Sequence, residues 1–367
     1  MKIVIIGGHL SPALCVIDEL PKTANLLYIG RKNALEGDKN NSLEFETITG
    51  LGIPFENLVT GRLQRTFTKY TIPSLFKTPY GLVRAIVILR KFKPDAVIGF
   101  GGYLSFPAVS ASRILKIPIV LHEQTLKAGI TNKYLSKFAD KVCISYETSR
   151  KYFPKEKVVL TGNPVRKSIL SPIDNIGLSL EEPIIYITGG SVGSHQINKL
   201  VMETLPRLLE KSSVIHQTGG ASKFSDFEKL QILKEGLNKG KKEKYLISKY
   251  FAPDEVGAIY KIASFVIGRS GINTVSELMA IEKPALLIPL HSSQKNEQLD
   301  NAAFFKKLGL GEVIDQEEID PDFFLRVVHK MLKNLDKYRL KSKKAESSGA
   351  AKRIVKVIYE TAQGRSN

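Results

Sequence analysis

At 367 residues with 43% hydrophobic side chains, the chain exceeds a typical single domain and can bury two ordinary cores. Lys and Arg number 54 against 36 Asp and Glu, and the formal charge of +18 attracts polyanions, nucleotide phosphates or an anionic leaflet without choosing among them. No window approaches the ~18 unbroken apolar residues of a spanning helix, and Cys15 and Cys143 stand in apolar stretches away from metal or redox spacing, which excludes a disulfide scaffold.

In chain order, Lys2-Ile3-Val4-Ile5-Ile6 reads as a strand rather than a signal segment, so the protein is expected inside the cell. The turn after it, Gly7-Gly8-His9-Leu10-Ser11-Pro12, lets a substrate approach the backbone and puts an imidazole at a helix entrance. His9 is a candidate proton acceptor or a helix-cap residue, and the turn alone leaves both open. The G-x-G-x-x-G spacing is absent, which argues against a dinucleotide enzyme. Further strands are predicted at 25–29, 96–99, 119–123, 141–145 and 158–161. Between Phe67 and Arg90, Ile72, Leu75, Phe76, Tyr80, Leu82 and Val83 alternate with Lys69, Lys77 and Arg84, the pattern of an apolar patch ringed by cations on a leaflet, or of core packing. Gly99-Phe100-Gly101-Gly102-Tyr103 is a second glycine turn after a strand. The strand from Ile119 delivers His122-Glu123-Gln124-Thr125, a crowding of polar groups that few structural strands need.

After Gly162-Asn163-Pro164, the irregular run 171–177 reads as a linker. The strand pattern then restarts at 183–188 and continues at 214–217, 245–247, 265–268 and 285–289. Parallel strands joined by right-handed crossovers, twice over, predict two doubly wound α/β domains. Thr188-Gly189-Gly190-Ser191-Val192-Gly193-Ser194 offers backbone N–H groups and hydroxyls at a helix N-terminus, a setting suited to phosphate. Gly268-Arg269-Ser270-Gly271 repeats that chemistry, and Glu277, past the first turn of the helix that follows, is placed to accept from two ribose hydroxyls. The segment 294–302 carries amides and carboxylates suited to sugar hydroxyls, or to a solvated face. The tail from Asp322 to Ala362 has helical periodicity and either caps the second domain or reaches back to the first. The total charge and the Lys239-Gly240-Lys241-Lys242 loop raise a nucleic-acid binder as an alternative, without any recognised module.

Taken together, G-G-H-x-x-P-A at 7–13, G-F-G-G-Y at 99–103, H-E-Q at 122–124, G-N-P-V-R at 162–166, G-G-S-x-G at 189–193, R-S-G-x-x-T-x-x-E at 269–277 and Q-x-x-N-A at 298–302 carry a resemblance. Over nearly its whole length the chain resembles the bacterial transferases that add N-acetylglucosamine to undecaprenyl-pyrophosphoryl-muramoyl-pentapeptide, the last cytoplasmic lipid precursor of peptidoglycan. The resemblance implies the GT-B fold, two Rossmann-like doubly wound domains facing a central cleft. It implies residues 1–165 as the acceptor and membrane domain, 166–345 as the UDP-sugar domain, and a helix in 346–367 packing back on the first.

By motif, Arg166, Ser191, Gly193 and the Ser270-Gly271 turn would hold the diphosphate. Glu277 would hold the ribose and Tyr250 and Phe251 the uracil, with Thr274 also on the donor side; Glu297, Gln298 and Asn301 would face the donor sugar. Gly7, Gly8, Gly101, Gly102, Tyr103, His122 and Thr125 would line the acceptor side, with His9 as catalytic base and Glu123 its rival. Ile72, Leu75, Phe76 and Tyr80 would form the membrane patch on an anionic membrane surface, at the cytoplasmic face. The resemblance further implies UDP-N-acetylglucosamine as donor substrate, a polyprenyl-pyrophosphate-linked acceptor and inversion through an oxocarbenium-like state. It implies no tightly bound cofactor, no nucleic acid and no metal. A different lipid acceptor, or epimerisation of a UDP-sugar, is the alternative. Three departures stand out: the first turn lacks an extra Gly-Gly-Thr, Thr125 stands where Asn is usual, and Val192 replaces Gln. Each removes hydrogen-bonding groups near the sugar and acceptor.

Overall fold

Aliphatic runs of four to six residues, buried on both faces, dictate central parallel strands. The computed structural model describes residues 1–33, 41–61, 71–173, 180–220, 224–291, 296–339 and 349–364, with backbone alone for 71–77. Two compact units divide the chain: Met1–Pro164 with Glu346–Asn367, and Val165–Ala345.

The first unit runs β1 (Lys2–Ile6), α1 (Leu10–Glu19), β2 (Asn25–Gly30), α2 (Leu43–Gly50), β3 (Phe55–Asn57), α3 (Thr71–Phe92), β4 (Ala96–Gly99), α4 (Ser105–Ile114), β5 (Ile119–Glu123), α5 (Ile130–Leu135), β6 (Lys141–Ile144) and β7 (Val158–Leu160). Its seven strands lie in the order β3-β2-β1-β4-β5-β6-β7, with every pairing parallel. Because side chains alternate across a strand, Val4 and Ile6 pack with Ala85, Ile88 and Leu89 of α3 and with Ala108 and Val109 of α4. Ile3 and Ile5 face the other way, against Ala13 and Val16 of α1.

The second unit runs α6 (Lys167–Leu170), β8 (Ile184–Thr188), α7 (His195–Leu208), β9 (Ser213–Gln217), α8 (Asp226–Glu235), α9 (Lys239–Glu243), β10 (Tyr245–Ser248), α10 (Pro253–Ile262), β11 (Phe265–Gly268), α11 (Ile272–Ala280), β12 (Ala285–Leu287), α12 (Glu297–Lys307), β13 (Gly311–Val313) and α13 (Pro321–Leu332). Its six strands are ordered β10-β9-β8-β11-β12-β13, again all parallel. The chain then returns to the first unit as α14 (Ala350–Gln363). Ile354, Val357, Ile358 and Ala362, on one helical face, complete the core around Ile3, Ile5, Val120 and Cys143. Arg353 fastens this helix by donating from Nε to the Thr161 carbonyl at 2.9 Å.

The strand order reverses between β1 and β4 in the first sheet and between β8 and β11 in the second. In open α/β sheets ligands collect beyond the carboxyl ends of the strands at such a switch point. All four glycine turns of the sequence follow one of these four strands. The edge strands β3 and β13 escape the sequence reading because each has three residues with a central glutamate and no alternation. The Lys239 segment, read as a loop, is the short helix α9, capped by Asn238. Both cysteines are buried and free, and burial pushes the Cys143 thiol up to about 12. Among the described residues no helix is long and apolar enough to cross a membrane.

Since α14 supplies part of the first core, Ile354→Ala should destabilise that unit by about 2–5 kcal/mol, the cost of emptying a buried aliphatic site. Urea unfolding followed by circular dichroism reads this directly; a midpoint within error of wild type would deny the helix that role.

Candidate active site

In the first unit, β1 and β4 deliver their glycine turns side by side. A Cβ on Gly8 would stand 2.2 Å from the Gly101 carbonyl oxygen, and one on Gly102 3.2 Å from Gly8 Cα. Gly101 and Gly102 also hold φ of +78° and +76°, the left-handed region where a side chain is strained. His9 occupies the N-cap of α1 without capping it through its side chain. Its ring is exposed by surface yet crowded, and desolvation lowers its pKa to about 4. Even the ordinary histidine value near 6.5 leaves the ring mostly neutral at neutral pH, so its availability as a proton acceptor does not lean on the size of that shift.

His122 is buried, and its Nε2 lies 3.1 Å from Ser145 Oγ, which in turn reaches Asn163 of the G-N-P motif at 3.4 Å. Burial first, and then the charge of a protonated His9, pull its pKa down to about 3, against an opposing hydrogen bond that the ring donates to the Gly162 backbone. Glu123 is engaged throughout: Thr125 N and Gly129 N donate to it at 3.0 Å, Asn132 Nδ2 at 3.1 Å, and Thr125 Oγ1 lies 2.5 Å away. Asn132 also reaches the His122 carbonyl at 2.9 Å. The carboxylate therefore pins the loop between β5 and α5. Tyr103 is half-buried against the first core.

Gly7, still in ladder contact with the Ile29 carbonyl at 2.8 Å, abuts Glu44, whose Oε1 would lie 2.2 Å from a Cβ there. Glu44 accepts from the Tyr28 hydroxyl at 2.7 Å and the Arg31 amide at 3.1 Å. Of the membrane-patch residues, Tyr80 is exposed on α3 with Val83 and Val87, while Leu82 turns into the core. The side chains of Ile72, Leu75 and Phe76, like Lys77, lie outside the described residues, as does all of Lys69.

In the second unit the glycine turns again meet backbone to backbone. Gly193, at φ +87°, would place a Cβ 2.1 Å from the Thr218 carbonyl, and Gly219, at φ +84°, one 2.2 Å from Gly193 N. Ser191 is exposed, and Ser194 caps α7 by accepting from Ile197 N at 3.4 Å. Arg269 ties that cap to the end of β12, donating to Ser194 Oγ at 2.7 Å and to the Ile288 carbonyl at 3.0 Å. Desolvation lowers its pKa to about 10, which still leaves it charged at neutral pH.

Ser270 is fully buried and gives its hydroxyl to the Gln298 carbonyl at 2.7 Å; Asn301, equally buried, donates to the Ser270 carbonyl at 3.0 Å. These two side chains join α12 to the β11–α11 turn. Gln298 itself accepts from Leu290 N at 3.0 Å, and Glu297, half-buried, opens α12. Gly271 is the N-cap of α11, with open space where a Cβ would stand, and Thr274 is half-buried one turn on. Arg166 Nε donates to Glu277 at 2.8 Å, a pair with Glu277 nearly buried. Tyr250 is exposed while Phe251 is buried, edge-on to Tyr186 at 6.4 Å.

Sequence reasoning missed Asn132, Arg269, Glu44 and Gln217, each of which fastens a predicted turn. It missed also a buried chain in which His216 Nδ1 lies 2.9 Å from the Tyr245 hydroxyl and Nε2 3.1 Å from Asn198 Oδ1. Asn198 donates to Thr218 O and Asp226, so its oxygen faces His216 and the proton sits on Nε2. Two lysines of α9 are paired on their own unit's surface, Lys241 with Glu210 at 3.3 Å and Lys242 with Glu235, as is the neighbouring Lys244 with Glu181 at 2.8 Å.

Residues 6–144 match the glycosyltransferase family 28 N-terminal domain, and residues 184–358 match the glycosyltransferase family 28 C-terminal domain. A Bacillus cereus protein named UDP-N-acetylglucosamine–N-acetylmuramyl-(pentapeptide) pyrophosphoryl-undecaprenol N-acetylglucosamine transferase 2 is 32% identical, covering 98% of this chain and 99% of its own. The transferase of that name (without the 2) from Legionella pneumophila is 30% identical, over 97% of this chain and 94% of its own. The crystal structure of Acinetobacter baumannii MurG aligns with a TM-score of 0.69 at 24% identity, over 98% of this chain and 100% of that one, which shows the GT-B fold.

Burial lowers the pKa of His122 and of His216 to about 3. Both folded values lie below the ordinary value near 6.5, so the unfolded chain binds more protons between them, and stability is full above about pH 6.5 and lost as pH falls toward 3. The unfolding free energy from urea titrations should therefore drop on acidification by up to about 1.4 kcal/mol per pH unit for each histidine. His216→Gln should flatten that slope; an unchanged slope would contradict a neutral buried imidazole.

Proposed function

The chain belongs to glycosyltransferase family 28, and from that premise we propose that it transfers N-acetylglucosamine from UDP-N-acetylglucosamine to undecaprenyl-pyrophosphoryl-N-acetylmuramoyl-pentapeptide, forming a β-1,4 link in a peptidoglycan precursor. The reading rests on near full-length likeness to transferases of that name together with glycine turns on all four switch-point strands. The fold alone would suit many reactions.

On the donor side, Ser191 and Gly271 present backbone amides ahead of α7 and α11, where partial positive charge favours a diphosphate, and Gly193, whose own N–H is held by the Gly190 carbonyl, shapes the turn. Arg166 adds a full charge. Its Nε donates to Glu277, which holds the phosphate-side charge beside the carboxylate that accepts from the ribose hydroxyls. The buried Ser270 and Asn301 set the turn and α12, Tyr250 and Phe251 flank the uracil, and Thr274, Glu297 and Gln298 complete the donor side.

On the acceptor side His9 takes the proton of the attacking hydroxyl. Glu123 is a poor rival, because its oxygens already serve four donors. The hydroxyl oxygen bonds the anomeric carbon as the bond to UDP breaks, so an α-linked donor gives a β-linked product. Negative charge gathers on the departing diphosphate, which the helix N-termini and Arg166 stabilise. Gly7, Gly8, Gly101, Gly102, Tyr103, His122 and Thr125 shape the acceptor surface.

Incubating the protein with UDP-N-acetylglucosamine and a lipid-linked muramoyl-pentapeptide should give a product heavier by one N-acetylhexosamine in mass spectrometry. Free sugar or epimerised donor as the sole outcome would defeat the assignment. In the same assay His9→Gln should lower kcat about a hundredfold or more, the usual worth of a general base. Glu277→Ala should raise donor KM about tenfold or more; an unaltered KM would remove Glu277 from the donor site.

Contact with an anionic membrane at its cytoplasmic face belongs to the same proposal. Tyr80 and Val83, each 61% exposed, sit on α3 beside Arg84. Sedimentation with vesicles rich in acidic phospholipid should carry the wild type down and leave much of Tyr80→Glu/Val83→Glu in the supernatant. Equal pelleting of both would rule this face out.

A further inference from the structure

Gln217, the last residue of β9, is buried and committed in three directions. Its Oε1 accepts from the Tyr186 hydroxyl and from Phe251 N, each at 3.2 Å. Its Nε2 donates to the Gly190 carbonyl at 3.2 Å, which Gly193 N also reaches at 3.1 Å. Across a planar trans peptide the carbonyl and the following N–H point in opposite directions. Holding the Gly190 carbonyl inward therefore turns the Ser191 N–H outward. No acceptor for that N–H is seen among the described residues, and the space where a Cβ would stand on Gly190 is open. An outward amide at the entrance of a helix is what an anion recognises.

We propose that Gln217 is a positioning residue for the donor nucleotide, one amide that fixes both the peptide offered to the diphosphate and the Tyr250-Phe251 segment offered to the base. It touches neither reacting atom. The inference rests on the donor-site reading above and deepens it, because it makes recognition of the two ends of the nucleotide interdependent. The Thr188 hydroxyl, which accepts from Gly190 N at 3.0 Å, braces the other side of the same turn. Ordinary loop packing would fix the turn and the strand end separately; here a single side chain spans them.

The test compares UDP and uridine binding by calorimetry in wild type, Gln217→Glu, Gln217→Met and Tyr186→Phe, with folding checked by circular dichroism. Gln217→Glu keeps an acceptor toward Tyr186 and Phe251 but removes the donor beneath Gly190. It should weaken UDP binding about tenfold, the order of one lost hydrogen bond, with uridine binding unchanged. Gln217→Met, which removes both ends, should weaken both ligands. Tyr186→Phe leaves the amide under Gly190 and should keep the ratio of the two affinities at its wild-type value, so it carries the test even where Gln217→Glu does not fold. Equal losses for the two ligands in Gln217→Glu, UDP binding at wild-type strength, or an altered ratio in Tyr186→Phe would each overturn the inference. Wild-type protein that binds neither ligand would instead overturn the donor-site reading beneath it.

Discussion

Backbone packed directly on backbone at the ends of adjacent strands is the constraint from which the rest follows. In the first unit Gly8 lies against the Gly101 carbonyl, and in the second Gly193 lies against Thr218 and Gly219, at separations that no Cβ could occupy. Removing side chains from both partners brings adjacent strand ends within reach of a common ligand. It also leaves amides rather than side chains as the surface. Amides cannot be titrated and cost little reorganisation once the turn is fixed, which suits them to a charge that appears only as a bond breaks. Their weakness is that a glycine turn has little to hold it in one conformation.

The polar residues answer that weakness. Glu123 gathers the loop after β5, Arg269 joins the cap of α7 to the end of β12, and Ser270 with Asn301 binds α12 to the turn before α11. Each is buried or half-buried, where a hydrogen bond left unmade costs more than one made returns. Such groups make the turns stiff at the expense of their own availability to a ligand. The His9 side chain makes no cap bond to α1, which sets it apart from these fastening groups in the first unit.

Much of this was legible in the sequence. Strands such as Ile3–Ile6 or Phe265–Gly268 are aliphatic runs ended by glycine, and central parallel strands admit little else. The edge strands β3 and β13 were not, because a partner on one side only allows Glu56 and Glu312 in their middles. The turns were legible because glycine is needed there, for φ at Gly101, Gly102, Gly190 and Gly193 and for close backbone approach at Gly8 and Gly268, whereas their fastening was not. Nothing in a linear reading says that Gln217 reaches Gly190 or that Arg166 meets Glu277 across 111 residues, since such contacts exist only once the strands have stacked. Residue type signalled a polar site; only the fold shows which polar atoms are already taken.

The three departures from the family pattern can be weighed on the same basis. Thr125 places its hydroxyl 2.5 Å from both Glu123 and the Lys127 carbonyl, so it serves the loop clamp and is short for reaching outward. Val192 is 72% exposed, so the lost amide is no loss to the fold and falls wholly on whatever faces that turn. The first turn, only Gly7-Gly8-His9 between β1 and α1, is backed by Glu44, whose carboxylate leaves no room for a Cβ on Gly7. Shortening this turn puts His9 directly at the end of the central strand. A side chain there is set by the register of β1 against β2 and β4 rather than by loop conformation, and an ordered strand end holds it more closely than a longer glycine loop would.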